Sequence, residues 1–279
     1  MAKHSKHPEH LYTQENTWEF NGHCYFEPFE LAIGLEVHKR TLMFVPSGFQ
    51  PGVDMDLIVF LHGITSARNM STYIKDADKR GILSNIAYTG KNVILAAPYL
   101  GHNPQGCRIG KLDDFVDQIL KAMKEKGLKA ETPSLRKLIL SGHSAGGKPL
   151  ATIANMAHRY DGNVREVWCF DGWYWHDTAE KWWTFLEQHR TTPLYGYYTK
   201  GSLGNTAGPQ IAKLLGTKLK DLLKLVKPDP KKLPTTVVYR DGTPANGALE
   251  YDPGEHGTEP ARLIGGLVKR SVNLHNSSG

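Results

Sequence analysis

The chain has 279 residues, a net charge of +6 at neutral pH, a sequence pI near 9.0 and 40% hydrophobic residues. That length supports a large buried core, and the moderate basic excess comes without a nucleic-acid recognition motif, which excludes a nucleic-acid binder on present signals. No stretch approaches the ~20 apolar residues of a membrane span. The start, Met1-Ala2-Lys3-His4-Ser5-Lys6-His7, leads into polar sequence rather than an apolar leader, so the sequence as written is expected in the cytoplasm, with secretion reserved for a protein whose signal had been removed. Three widely spaced cysteines, Cys24, Cys107 and Cys169, point to free thiols rather than a disulfide framework.

Residues 1–20 read as a flexible basic start. His4, His7 and His10 recur every third residue there, but no Cys/His cluster of catalytic metal-site spacing accompanies them. Cys24 to Leu31 and Leu35 to Pro46 form an expected antiparallel opening pair. Leu57 to Leu61 is a continuous apolar run of the central-strand kind, ending at His62-Gly63, and Val93 to Ala97 is another. Phe115, Ile119 and Met123 lie four apart and predict a helix over Leu112 to Lys126, closed by Gly127. Lys137 to Leu140 predicts a buried strand, followed by Gly142-His143-Ser144-Ala145-Gly146 and a helix from Gly147 towards Tyr160. Strands are then expected at Val164 to Phe170, ending at Asp171, at Pro193 to Tyr198, and last at Thr235 to Tyr239. The glycine-rich stretch from Lys200 to Gly208 reads as a flexible rim, and Lys213 to Lys232, with seven lysines among spaced leucines, as a surface helix joining the last two strands. Repeated strand–helix units predict one α/β domain over 1–279, with a mostly parallel central sheet and helices on both faces.

Gly142-His143-Ser144-Ala145-Gly146 is a G-x-S-x-G pentapeptide between a predicted strand and a predicted helix, the context of a nucleophile elbow. A serine hydroxyl needs a base and preorganised donors for the oxyanion it creates. The His62-Gly63-Ile64 turn can aim a backbone N–H into such a site, with the N–H of Ala145 as its partner. Downstream histidines are His158, His176, His189, His256 and His275. His158 is expected on a solvated helix face, His189 at a polar helix end and His275 in the tail. His256, in the glycine-flanked loop Pro253-Gly254-Glu255-His256-Gly257, is the candidate base. Asp171, at a strand end, is the candidate acid, with Asp252, Asp177 and Glu255 as alternatives.

The run Arg40 to Phe49, the His62-Gly63 turn, the elbow and the late Gly-Glu-His-Gly resemble the α/β-hydrolase superfamily, especially its esterase and polyester-depolymerase branches, over about residues 39 to 268. The resemblance implies the α/β-hydrolase fold, oxyanion donors at Ile64 and Ala145, and a catalytic set of Ser144, His256 and Asp171. Asp171-Gly172-Trp173 is also similar to the strand-end Asp-x-Trp of platelet-activating-factor acetylhydrolases, which implies an acid at Asp171. The chain departs from polyester-degrading enzymes in lacking an aspartate after the Leu194 to Tyr198 strand and an evident cysteine pair. Trp173 and Tyr174 are candidate substrate contacts; the aromatic segment over 172–192 reads equally as a small cap packed on the core. The expected activity is a serine hydrolase acting on a small-molecule or polymeric ester, with no cofactor and no metal. An amide or peptide hydrolase with the same residues, and a non-catalytic ligand-binding relative, are the alternatives.

Overall fold

Runs of Val, Ile, Leu and Phe bounded by turn residues pair into one eight-stranded sheet. The structure, a computed structural model, describes residues 22–27, 29, 31–33, 41–50, 54–65, 81–129, 131–175, 177–203, 207–225, 235–254, 256, 259–271 and 274. In chain order the elements are β1 (Gly22–Glu27), β2 (Ala32–Ile33), β3 (Thr41–Pro46), β4 (Asp54–Leu61), α1 (Ile82–Ala87), β5 (Val93–Pro98), β6 (Arg108–Ile109), α2 (Leu112–Glu125) and β7 (Ser134–His143). There follow α3 (Gly147–Ala154), β8 (Val164–Phe170), α4 (Thr178–Gln188), β9 (Leu194–Tyr198), α5 (Ala207–Leu214), α6 (Leu219–Leu225), β10 (Gly247–Tyr251) and α7 (Glu259–Arg270). The sheet order is β1-β3-β5-β4-β7-β8-β9-β10, and β2 pairs separately with β6. β3 runs antiparallel to both neighbours and the other pairs of the eight-stranded sheet are parallel, while β2 and β6 pair antiparallel.

Strand side chains alternate between two cores, as a two-residue period requires. Leu57, Val59 and Leu61 of β4 share one core with Phe115 and Ile119 of α2, Leu150 of α3 and Trp182 of α4. Ile58 and Phe60 share the other with Ile82 and Ile86 of α1 and Ile264 and Val268 of α7. Helices therefore cover both faces. The chain passes from β4 to β5 on one side and later returns to β7 on the other side of β4. The chain leaves β4 and β7 towards helices on opposite faces of the sheet, and the carboxyl ends of two such strands are the usual place for a site.

Several expectations are corrected. Thr235 to Tyr239 makes only isolated bridges, Thr235 to Leu249 and Val238 to Pro244, and the slot beside β9 is filled by β10. The β-branched run has the stronger strand propensity, but pairing beside β9 decides the outcome. Lys213 to Lys232 is not one helix: Gly216, at φ 61°, ends the turn after α5, α6 starts anew at Leu219, and 226–232 lie outside the described residues. The helix after the elbow stops at Ala154, where the Asn155 side chain donates to Ala151 O at 2.8 Å and to Lys181 O at 2.9 Å. His158 consequently lies beyond that helix with its side chain buried, 3.0 Å from Asp161, rather than on a solvated face. The segment over 172–192 is the crossover from β8 to β9, and it packs on the core through Trp182, Phe185 and Leu186 of α4.

The register of β4 on β7 decides whether the turn after Leu61 meets the residue after His143. It shifts between Met55 and Asp56, so that Asp56 faces Lys137 and Arg136 is the extra residue. A bulge re-aims its side chain, and Arg136 grips the buried Asp56 carboxylate through both Nε, at 2.9 Å, and Nη2. Arg136→Leu should lower the free energy of unfolding by about 2–3 kcal/mol, less than the ~3–5 kcal/mol of a fully buried pair because the guanidinium is partly solvated. Urea titration checks this, and an unchanged midpoint would show that the pair does not hold the register.

Candidate active site

β7 ends by presenting Ser144 at φ 50°, and β8 ends by presenting Asp171 at φ 48°. Among the described residues these are the non-glycine positions with positive φ. Such conformations cost of order 1–3 kcal/mol each and persist where the surroundings over-determine them. Here glycines supply the surroundings. A Cβ on Gly146 would lie 2.4 Å from Leu61 O and 2.6 Å from His62 O, and one on Gly147 would lie 2.3 Å from Gly172 O. The elbow is thus pressed by bare backbone against both the end of β4 and the turn that carries Asp171.

Three groups from three strand ends meet in series. Ser144 Oγ lies 2.9 Å from His256 Nε2, and His256 Nδ1 lies 2.6 Å from Asp171 Oδ2. His256 stands in the loop after β10 with 40% of its side chain exposed, whereas Asp171 is fully buried. Thr199, the residue after β9, donates its backbone N–H to Asp171 Oδ1 at 3.2 Å and its hydroxyl to Oδ2 at 2.8 Å. Burial pushes the Asp171 carboxyl up, but hydrogen bonds from His256, Ser202 and Thr199 and the imidazole's charge outweigh it and hold the group below its ordinary range. With the carboxylate ionised, Nδ1 carries the ring proton and Nε2 is left to accept one from the serine.

The other candidates are placed elsewhere. Asp252 is buried and its Oδ1 accepts from Gly254 N at 2.9 Å, which shapes the loop that holds His256. Asp177 pairs with Lys181 at 3.2 Å at the start of α4. His189 follows α4 and stacks on Phe185. Glu255, His176 and His275 lie outside the described residues.

The turn after β4 is fixed by His62. Leu100 N–H donates to His62 Nε2 at 2.9 Å, so the ring proton sits on Nδ1, 2.6 Å from Gly63 O. Thr65 N–H donates to His102 O at 3.1 Å, a second tie between this turn and the loop after β5. A Cβ on Gly63 would lie 2.9 Å from Ser144 Cβ, so the turn carrying Ile64 rests directly against the serine. The Ile64 side chain points to solvent, and Ala145 occupies the tight turn Ser144–Gly146.

Trp173 is fully buried and donates through Nε1 to Tyr197 O at 2.9 Å, so its indole belongs to the core and offers no face to a substrate. This corrects the expectation of a substrate contact at Trp173. Tyr174 does reach the site, with Oη 3.1 Å from Asp171 Oδ2 and 3.2 Å from His256 Nδ1. Thr199 bears no charge, so nothing in its chemistry marks it in the sequence as a partner of an acid; its position directly after β9, at a strand's carboxyl end, is the available signal. Among the described residues no group of three or more His, Cys, Asp or Glu is placed to hold a metal ion, and no helix is long and apolar enough to cross a membrane.

The sheet order, the crossovers on both faces and the strand-end elbow give the chain the α/β-hydrolase fold. No protein-family model matches the sequence, and no curated protein matches it. Solved structures do. The chain is similar to a ferulic acid esterase at TM-score 0.53 and 10% identity, covering 91% of this chain and 97% of that one. It is similar to the feruloyl esterase module of Clostridium thermocellum, solved with sinapinate, at TM-score 0.51 and 12% identity, covering 92% and 90%. It is also similar to an S-formylglutathione hydrolase from Agrobacterium tumefaciens at TM-score 0.51 and 13% identity, covering 90% and 94%.

The depressed Asp171 carboxyl has a consequence for stability. A folded-state value below the unfolded one means that the ionised group contributes stability above the ordinary carboxylate range and loses it as pH falls through the folded value. Below about pH 4 the unfolding free energy of the wild type should therefore fall more steeply with acid than that of Asp171→Asn. Urea titrations at a series of pH values make the comparison, and equal slopes would contradict the hydrogen-bonded carboxylate described above.

Proposed function

We propose that the chain is a serine hydrolase that cleaves carboxylic esters through an acyl-enzyme intermediate. The observation that carries the reading is the continuous series from Ser144 Oγ to His256 Nε2 at 2.9 Å and from His256 Nδ1 to Asp171 Oδ2 at 2.6 Å. A hydroxyl bonded to an imidazole that is itself bonded to a buried carboxylate can attack a carbonyl while passing its proton to the ring. Similarity in fold to feruloyl and ferulic acid esterases supports an ester as the substrate.

In this mechanism Ser144 Oγ attacks the ester carbonyl carbon and His256 Nε2 takes the hydroxyl proton. Asp171 keeps the imidazolium oriented and compensates its charge. The backbone N–H groups of Ile64 and Ala145 receive the developing oxyanion, which is why the Gly63 turn must rest on the serine. As the carbon–oxygen bond to the alcohol breaks, His256 returns the proton to the leaving oxygen. Water, deprotonated by the same ring, then releases the acid and restores Ser144. Every step uses groups of the chain and water, and the substrate is a small-molecule or polymeric ester. Trp173, Trp182 and Phe185 give their apolar surface to the core, so no long acyl channel is built from them.

A fluorophosphonate probe should label Ser144 and fail on Ser144→Ala. Absence of labelling in folded protein would favour a non-catalytic binding protein. Across p-nitrophenyl esters from acetate to palmitate, the short and medium chains should turn over faster, and faster cleavage of peptide anilides would move the activity to amides. Asp171→Asn should lower kcat by about 10⁴, the loss seen when the ring tautomer is inverted, while Asp252→Asn should cost far less. Collapse for Asp252→Asn with turnover retained in Asp171→Asn would transfer the acid to the histidine's own loop.

A further inference from the structure

His256 stands in a loop and leaves 40% of its side chain exposed. A solvated imidazole rotates freely unless its neighbours hold it, and an incorrectly turned ring can neither take the Ser144 proton nor meet Asp171. Ser144, Asp171, His143 and Tyr174 are among the side chains that face it. Ser144 and Asp171 bond its two nitrogens, the His143 ring lies tilted by 30° at 5.1 Å between centroids, and Tyr174 stands edge-on at 84° and 5.8 Å. Tyr174 is also the one whose hydroxyl touches both remaining partners of the relay, at 3.1 Å from Asp171 Oδ2 and 3.2 Å from His256 Nδ1.

Resting on the hydrolase reading above, we infer that Tyr174 is a positioning residue that holds the His256 ring in its working orientation and tautomer. The proton inventory assigns the direction of each bond. The Asp171 carboxylate has only lone pairs, so Tyr174 must donate its single hydroxyl hydrogen to Oδ2. The tyrosine oxygen then turns a lone pair towards Nδ1, where only an N–H is tolerated. Aspartate and tyrosine together demand the proton on Nδ1, leaving Nε2 bare for Ser144. A ring turned by 180° would satisfy neither.

The turn carrying both residues is tied to β9 through one carbonyl. Asp171 N–H donates to Tyr197 O at 2.8 Å, and Trp173 Nε1–H donates to the same carbonyl at 2.9 Å. With Trp173 locked in the core, Tyr174 is folded back over the carboxylate three residues earlier. The acid therefore arrives at the site with the clamp for its histidine already attached.

Tyr174→Phe keeps the ring and removes the hydroxyl. The expected result with a p-nitrophenyl ester is a fall in kcat of about tenfold, the worth of one hydrogen bond, with KM within about twofold of wild type. Losing the hydroxyl removes both a donor to Oδ2 and an acceptor for Nδ1–H, so the acid limb of kcat/KM should shift from its wild-type position. In the resting protein the low-field proton resonance of His256 Nδ1–H should shift and exchange faster with water. Wild-type kcat with an unmoved resonance would overturn the proposal, as would a loss of activity that merely tracks a loss of folded protein on urea titration. If the wild-type protein hydrolyses no ester, the hydrolase reading fails by itself. The resonance comparison needs no turnover and still decides whether Tyr174 holds the ring.

Discussion

Bare backbone contact between strand ends is the constraint on which the site depends. Gly146 lies on the carbonyls of Leu61 and His62, and Gly147 lies on Gly172, each closer than a methyl group allows. These contacts draw the ends of β4, β7 and β8 to a common point and leave Ser144 and Asp171 in backbone conformations that neither would adopt alone. The strain is held in place by the two cores beneath, where alternate residues of every central strand are locked against helices. Packing beneath the strand ends is thereby transmitted to the hydrogen bonds between Ser144, His256 and Asp171.

Much of this was legible in the sequence because it is written locally. The elbow is a pentapeptide, its strand is a run of apolar residues and its donor turn ends another such run, so Ser144 and the His62-Gly63 turn needed no long-range information. His256 stands out in the sequence by its glycine-flanked loop, and in the structure its Nε2 lies 2.9 Å from Ser144 Oγ, 112 positions away in the chain. What could not be read depends on which segments become neighbours. Thr199 matters only because β9 pairs with β8 and brings a hydroxyl to a carboxylate 28 residues earlier. Thr235 to Tyr239 has the composition of a strand, yet the edge it would fill goes to Gly247–Tyr251. Trp173 and Tyr174 are adjacent and chemically alike, but one turns into the core and the other onto the imidazole. No property of either side chain distinguishes them before the β8 turn is closed.

Two histidines serve the site in the same tautomer for different ends. His62 spends both nitrogens on backbone, accepting from Leu100 and donating to Gly63, and so functions as a strut between two strand-end loops. His256 spends Nδ1 on Asp171 and keeps Nε2 for the hydroxyl. The contrast lies in what surrounds each ring: backbone partners are fixed, whereas a side-chain hydroxyl can give up its proton and recover it.

The ends of β8 and β9 divide one task between them. The first contributes negative charge, the second the N–H and hydroxyl of Thr199 that make that charge tolerable without water. A buried carboxylate is thus a joint property of two neighbouring strands, and its donors are oriented by the sheet and not by the residue that bears the charge.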